Sequence, residues 1–208
     1  MNRYYAPLLP EKFYHVFNRA IGNEKCFLNE DNYLFFLKKL EQYIFPVADV
    51  YAYSLLPNHF HLVIKVRSHE EIAALREKQT NKKFGKENDI SIAIMQQFSN
   101  LINSYTKAFN KVYNRKGSLF IDHLRRSEAK DDADVKAFIF YVHKNAVHHA
   151  LTKAIGIWQF DSFKSLLSNK PTRLAREAVL ELFGGGERFI EFHHQEIEIK
   201  NGFADIDS

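Results

Sequence analysis

Two histidines one residue apart, His59 and His61, lie in a run of strand formers from His59 to Val66. Successive side chains of a strand point to opposite faces, so Phe60, Leu62, Ile64 and Val66 share one face and His59, His61, Val63 and Lys65 the other. The apolar face belongs to a core. The other carries two imidazoles side by side, close enough to hold one metal ion. A second set of chemistry-bearing residues, Tyr141, Asn145 and His148, stands at i, i+4 and i+7. That spacing lines a phenol, an amide and an imidazole along one stripe of a helix, beside the apolar stripe of Val135, Phe138, Ile139 and Val142. Taken singly, a His-x-His strand is more often an ordinary sheet surface, and a helix tyrosine is more often packing. Their chemistry depends on elements that bring strand and helix together.

Those elements follow from periodicity and end signals. Phe13 to Asn18 reads as a strand, and Asn29 as the N-cap of a helix over Tyr33 to Phe45 that Pro46 ends. Val47 to Leu56 and His59 to Val66 form a hairpin about Pro57 and Asn58. About half of the stretch from Arg67 to Asp89 is charged, with Lys82, Lys83 and Lys86, which predicts a short helix and then a basic loop. Asp89 is placed to cap the longest helix, whose apolar stripe runs from Ile94 to Val112 until Asn114 and Gly117 stop it. Ser118 to Arg126 reads as a fourth strand, and a helix opening at Asp131 to Asp134 runs to about Ala150.

The order β-α-β-β-α-β, then α, specifies an α+β fold of the ferredoxin-like, split βαβ kind. Such a fold is an antiparallel four-stranded sheet with two helices on one face, which leaves the histidine face to the tyrosine-bearing helix or a ligand. We divide the chain into a domain over residues 1–152 and an extension over residues 153–208. In the extension Glu177 to Phe183 reads as a helix, Gly184 to Gly186 as a break, and the last residues as a frayed acidic tail.

Composition sets the class. The chain has 208 residues with 46% hydrophobic and 26% charged, which excludes a disordered or collagenous protein. A single cysteine, Cys26, and the lack of a long apolar run point to the cytoplasm and away from a membrane. A net charge of +4 permits a polyanionic partner without requiring one. The 14% aromatic content fills a core and leaves rings for stacking on bases.

The segment Ser54-Leu-Leu-Pro-Asn-His-Phe-His-Leu-Val-Ile64 resembles the His-hydrophobic-His motif of single-tyrosine HUH transposases of the insertion-sequence kind, and Tyr141-Val-His-Lys-Asn145 resembles their tyrosine helix. The whole is most similar to the REP-associated tyrosine transposases. His15-Val-Phe-Asn-Arg19 and Lys116-Gly-Ser-Leu-Phe120 add to the likeness, which spans about Phe13 to Leu151 in the family's order.

The resemblance implies a metal-dependent endonuclease and strand-transferase acting on single-stranded DNA folded into hairpins. It implies Mg²⁺ or Mn²⁺ held by His59, His61 and Asn145, and Tyr141 as the nucleophile that forms a 5′-phosphotyrosine and frees a 3′-OH. Both monomers and homodimers are compatible with it. Where the family often has proline and a later arginine after the helix asparagine, this chain has Ala146 and then His148 and His149, which makes His148 an alternative third ligand.

The chemistry is coherent. A phenol of ordinary pKa near 10 needs a neighbouring positive charge to become a phenolate, and a phosphodiester needs its oxygens neutralised. No Walker-type glycine loop is present, in keeping with a reaction that conserves the phosphodiester energy in a tyrosyl ester. Arg19, Lys111, Arg115, Lys116, Arg125 and Arg126 are candidates for phosphate contacts, and Lys144 for stabilising the phenolate. Two other readings of the same residues are a non-catalytic nucleic-acid-binding module on this fold and a zinc hydrolase using His59, His61 and His123.

Overall fold

The structure is a computed structural model and describes residues 6–80 and 87–195. The chain runs β1 (Phe13–Arg19), α1 (Glu30–Tyr43), β2 (Ala48–Leu56), β3 (His59–Val66), α2 (His69–Thr80), α3 (Glu87–Val112), β4 (Arg125–Glu128) and α4 (Asp132–His148), then α5 (Phe163–Leu167), α6 (Arg176–Phe183) and α7 (Gly186–His194). The four strands form one antiparallel sheet in the order β2-β3-β1-β4, the ferredoxin-like arrangement.

Two of the three expected caps, Asn29 and Asp131, are where the sequence placed them. Asn29 accepts a hydrogen bond from the Asn32 N–H and Asp131 one from the Asp134 N–H, each satisfying a donor that the first turn leaves unpaired. Helices α1 and α3 pack together on the apolar face, where Phe36 and Tyr105 meet edge to face and Phe36 meets Phe60 at 5.0 Å. Helix α4 packs on β2, β3 and β1 from the other side. Among the described residues no helix is long and apolar enough to cross a membrane.

The expected fourth strand is shorter than Ser118 to Arg126. Phe120 makes an isolated bridge to Ala20, His123 then takes a left-handed φ of +69°, and the ladder to β1 begins only at Arg125. A non-glycine residue at positive φ cannot continue a strand, which splits the segment in two. Helix α3 begins at Glu87, so Asp89 lies inside its first turn rather than ahead of it. The basic stretch with Lys82, Lys83 and Lys86 lies outside the described residues, as does the acidic tail from residue 196 onward.

Beyond α4 the chain is built into the body of the fold. Residues 158–162 run along the outer edge of β2: the Leu55 N–H donates to the Phe160 carbonyl, the Ser162 N–H to the Tyr53 carbonyl, and the Trp158 indole to the Leu55 carbonyl. This covers an edge that would otherwise present unpaired backbone groups. Helix α6 is read correctly from sequence, and Gly184 at φ +82° ends it in the left-handed conformation that glycine takes without strain. Helix α7 was not expected. It buries Phe189 and His193 and packs against α4, where the His143 and His193 rings meet at 5.0 Å.

Asp161, which bridges to Ser54, is 4% exposed. Its Oδ1 accepts from the Phe163 N–H, and its Oδ2 has no hydrogen-bond partner. Burial raises its pKa to about 7, with the Phe163 N–H and Lys164 acting the other way. A folded-state pKa raised from 3.8 favours folding most below pH 3.8 and loses that contribution as pH rises toward 7. Asp161→Asn, which keeps the Oδ1 acceptor and cannot ionise, should therefore stabilise the protein more at pH 8 than at pH 5, by about 3 kcal/mol between the two. Denaturant unfolding of both proteins at the two pH values checks this, and an equal effect at both would refute it.

Candidate active site

Pairing between β1 and β3 assembles the histidine face. Arg19 stands opposite His59, Phe17 opposite His61 and His15 opposite Val63, so six side chains of two neighbouring strands share the side that α4 covers. The rings of His15, Phe17 and His61 form a stacked group with centroids 5.1 to 5.6 Å apart. Tyr141 stands edge-on to two of them, 5.5 Å from His15 and 5.6 Å from His61.

Asn145 joins the two histidines. Its Oδ1 lies 3.1 Å from His59 Nε2, and its Nδ2 lies 3.2 Å from His61 Nε2. The rings are held from behind: His59 Nδ1 is 2.7 Å from Asn58 Oδ1, and His61 Nδ1 is 2.9 Å from His15 Nε2. Asn58 Oδ1 only accepts, so His59 Nδ1 carries the proton and Nε2 of the neutral ring presents a lone pair. That lone pair faces the Asn145 oxygen, another acceptor. The two atoms stand 3.1 Å apart, the spacing of two ligands on one cation. Asn145 Nδ2 donates to His61 Nε2, so His61 Nδ1–H donates to His15. Burial, then the neighbouring His59, His15 and His149, hold the His61 pKa well below its ordinary value and keep the ring neutral, the form that ligates metals.

The centre therefore offers two imidazole nitrogens and an amide oxygen at ligand-to-ligand separations, with outer partners orienting both rings, a donor set that fits a divalent cation. Among the described residues no three His, Cys, Asp or Glu side chains are grouped to hold an ion; the side-chain oxygen that meets the two rings is that of the Asn145 amide. His123 is not brought to the pair: it is exposed and lines a separate cleft beside α3. His149 lies closer than the alternative ligand His148. The His149 ring is edge-on to His59 at 4.7 Å, and the exposed His148 packs on His149 at 5.2 Å.

A small cleft opens onto this centre, lined by His59, His61 and His149 and by Arg19 and Arg125. Arg19 Nε is buried without a hydrogen-bond partner in the described structure, a donor suited to a phosphate oxygen. The other basic candidates divide. Arg126 is 9% exposed and donates to the Ala6 and Leu124 carbonyls, opposite Val16, on the face away from the histidines. Arg115 pairs with Glu24 and with the Asn110 side chain and the Ser118 carbonyl, buttoning the loop after α3. Lys111 and Lys116 are exposed, and the Lys144 ammonium lies over the Phe140 ring. Tyr141 is 5% exposed, tucked behind His61. His15, noted in the sequence only as part of a matching segment, joins the centre here, as do Phe17, Asn58 and His149; strand alternation groups His15 with Phe17 and Arg19, but only the pairing of β1 with β3 brings that group to the histidines.

No family model matches the chain, and no curated protein is significantly similar to it. Among solved structures the fold matches a REP-associated tyrosine transposase bound to a REP hairpin, with a TM-score of 0.55 and 13% identity, over 82% of this chain and 89% of that one. At this identity the likeness establishes the fold.

Proposed function

We propose that the protein is a metal-dependent endonuclease and strand-transferase for single-stranded DNA carrying a hairpin, with Tyr141 as nucleophile. The observation that carries this reading is the convergence of His59 Nε2, His61 Nε2 and Asn145 Oδ1 beneath a cleft lined by two arginines, with Tyr141 against the same His61 ring. The solved protein of like fold binds a hairpin, which supports the choice of substrate.

Tyr141 Oη gives up its proton and attacks phosphorus, the bond from phosphorus to the 3′ oxygen breaks, that oxygen takes up a proton in turn, and the 5′ phosphate stays on the phenol. Attack by a second 3′-OH reverses these steps and joins a new pair of strands. Arg19 and Arg125 bind the non-bridging oxygens, and His15 and Asn58 hold His61 and His59 in the tautomers whose Nε2 carries no proton. Mg²⁺ or Mn²⁺ bound by His59, His61 and Asn145 would supply Lewis-acid neutralisation of the phosphate.

The test is incubation of the protein with end-labelled hairpin oligonucleotides in Mg²⁺, Mn²⁺ or chelator, followed by denaturing electrophoresis. A covalent band that carries the label downstream of the cut and vanishes in chelator is expected. Hairpin binding with no adduct over a broad panel would replace this reading with a binding module.

His15→Phe keeps a ring in the stack and removes the acceptor for His61 Nδ1–H. It should raise the Mn²⁺ concentration needed for half-maximal adduct by about 10- to 100-fold. A metal titration of both proteins checks this, and an unchanged requirement would remove His15 from the centre.

A further inference from the structure

Helix α4 is buried on both sides: Tyr141 and Asn145 face the sheet, and Phe140 and His143 face the extension, with Phe140 meeting Phe192 and His193. A helix packed on two sides mainly through apolar side chains can roll about its axis with little change in the area it buries, because apolar contact is not directional. The site tolerates no such roll, since Asn145 must keep its amide between His59 and His61. Something directional must fix the rotation.

His143 lies two residues from both Tyr141 and Asn145, which at 3.6 residues per turn aims it away from their stripe. Both its nitrogens are engaged, Nδ1 with His193 Nε2 at 2.9 Å and Nε2 with Ser162 Oγ at 2.8 Å. His193 Nδ1 is 2.7 Å from the Phe189 carbonyl, which only accepts, so Nδ1 bears the proton and Nε2 is a lone pair. His143 Nδ1–H then donates to it, His143 Nε2 accepts from the Ser162 hydroxyl, and the Ser162 oxygen accepts from the Tyr53 N–H at 2.9 Å. One chain of hydrogen bonds, with one arrangement of protons, runs from the edge of β2 through α4 to α7.

Ser162, His143 and His193 are 0%, 1% and 3% exposed, so no water replaces a broken member. A hydroxyl, an imidazole and a second imidazole in this order also have the connectivity of a nucleophile, its base and an orienting group. Burial among Phe163, Phe183 and Phe189 denies them a substrate. We infer that Ser162 and His193 are positioning residues that fix the rotation of α4 through His143, and so hold Asn145 and Tyr141 against the histidine face. The inference rests on the reading of α4 as the helix of the reacting groups.

The test compares wild type, His193→Leu and His193→Gln, whose side-chain oxygen reaches the same acceptor position. Three quantities are read: hairpin affinity, adduct rate, and the imidazole nitrogen resonances of His59 and His61. His193→Leu should slow adduct formation about tenfold, as expected for loss of one buried hydrogen bond at the site's support. It should also move the His59 and His61 resonances while hairpin affinity stays unchanged, and Gln should restore both rate and resonances.

A folded Leu variant with wild-type rate and unmoved resonances would overturn the inference. If His193→Leu does not fold, Ser162→Ala breaks the other end of the chain by removing a single oxygen and is read the same way. If the wild type makes no adduct, the proposed function fails, while the resonances of the variants still decide the positioning role.

Discussion

Tyr141→Phe is expected to remove the covalent DNA adduct altogether, a rate loss of at least about a thousandfold, with hairpin binding and fold retained. The substitution deletes one oxygen from a ring that is 5% exposed and leaves its edge-on contacts with His15 and His61 in place. Stability should therefore change by no more than about 1 kcal/mol. The two effects separate chemistry from structure. An adduct that persists in a folded Tyr141→Phe protein would transfer the nucleophile to another residue. Because the phenol is covered in the free protein, the adduct rate should also respond to DNA length on the side of the cleft, since only a strand seated there can bring phosphorus to it.

The second large effect concerns stability. Ending the chain at Gly156 should abolish cooperative unfolding. Phe160, Phe163, Leu166, Leu174, Val179, Phe183 and Phe189 are each 9% exposed or less and belong to the same core as the sheet. Each such side chain contributes roughly 1.5–3 kcal/mol by burial, so together they match or exceed the roughly 5–15 kcal/mol net stability of a domain. The truncation also strips the outer edge of β2 and leaves His143 with neither of its partners. Thermal unfolding followed by circular dichroism decides it. A truncated protein that still melts in a single sharp transition would show that the sheet and its first helices are self-sufficient.

The sheet and the heart of the site were legible because both depend on local periodicity. The alternation in His59 to Val66 assigned each side chain to its face, and the i, i+4 spacing put Tyr141 and Asn145 on one stripe, so the strand pair and helix stripe had a single way to meet. What escaped depends on contacts between distant segments. His15 belongs to the centre only through the pairing of β1 with β3, which no spacing within one strand reveals. Arg126 differs from Arg125 by one position, and that reverses its face: one lines the cleft and the other is buried against backbone carbonyls. The shortened β4 turns on the left-handed conformation of His123, which is not a residue that advertises a break. Helix α7 hid because one of its two buried residues is a histidine, polar by type and buried only because His143 meets it.

The strip of chain laid along β2 also governs how this molecule meets other molecules. An uncovered strand edge is a template for further strands, the route by which sheets fuse, swap segments or nucleate fibrils. Here that flank is sealed from within by residues 158–162, so among the described strands only the four-residue β4 ends the sheet on its other side. Self-association by sheet extension is thus confined to a short border. Loosening residues 158–162 would expose that flank to other strands, so solubility and shelf life should track the integrity of this strip more closely than that of the histidine-lined cleft.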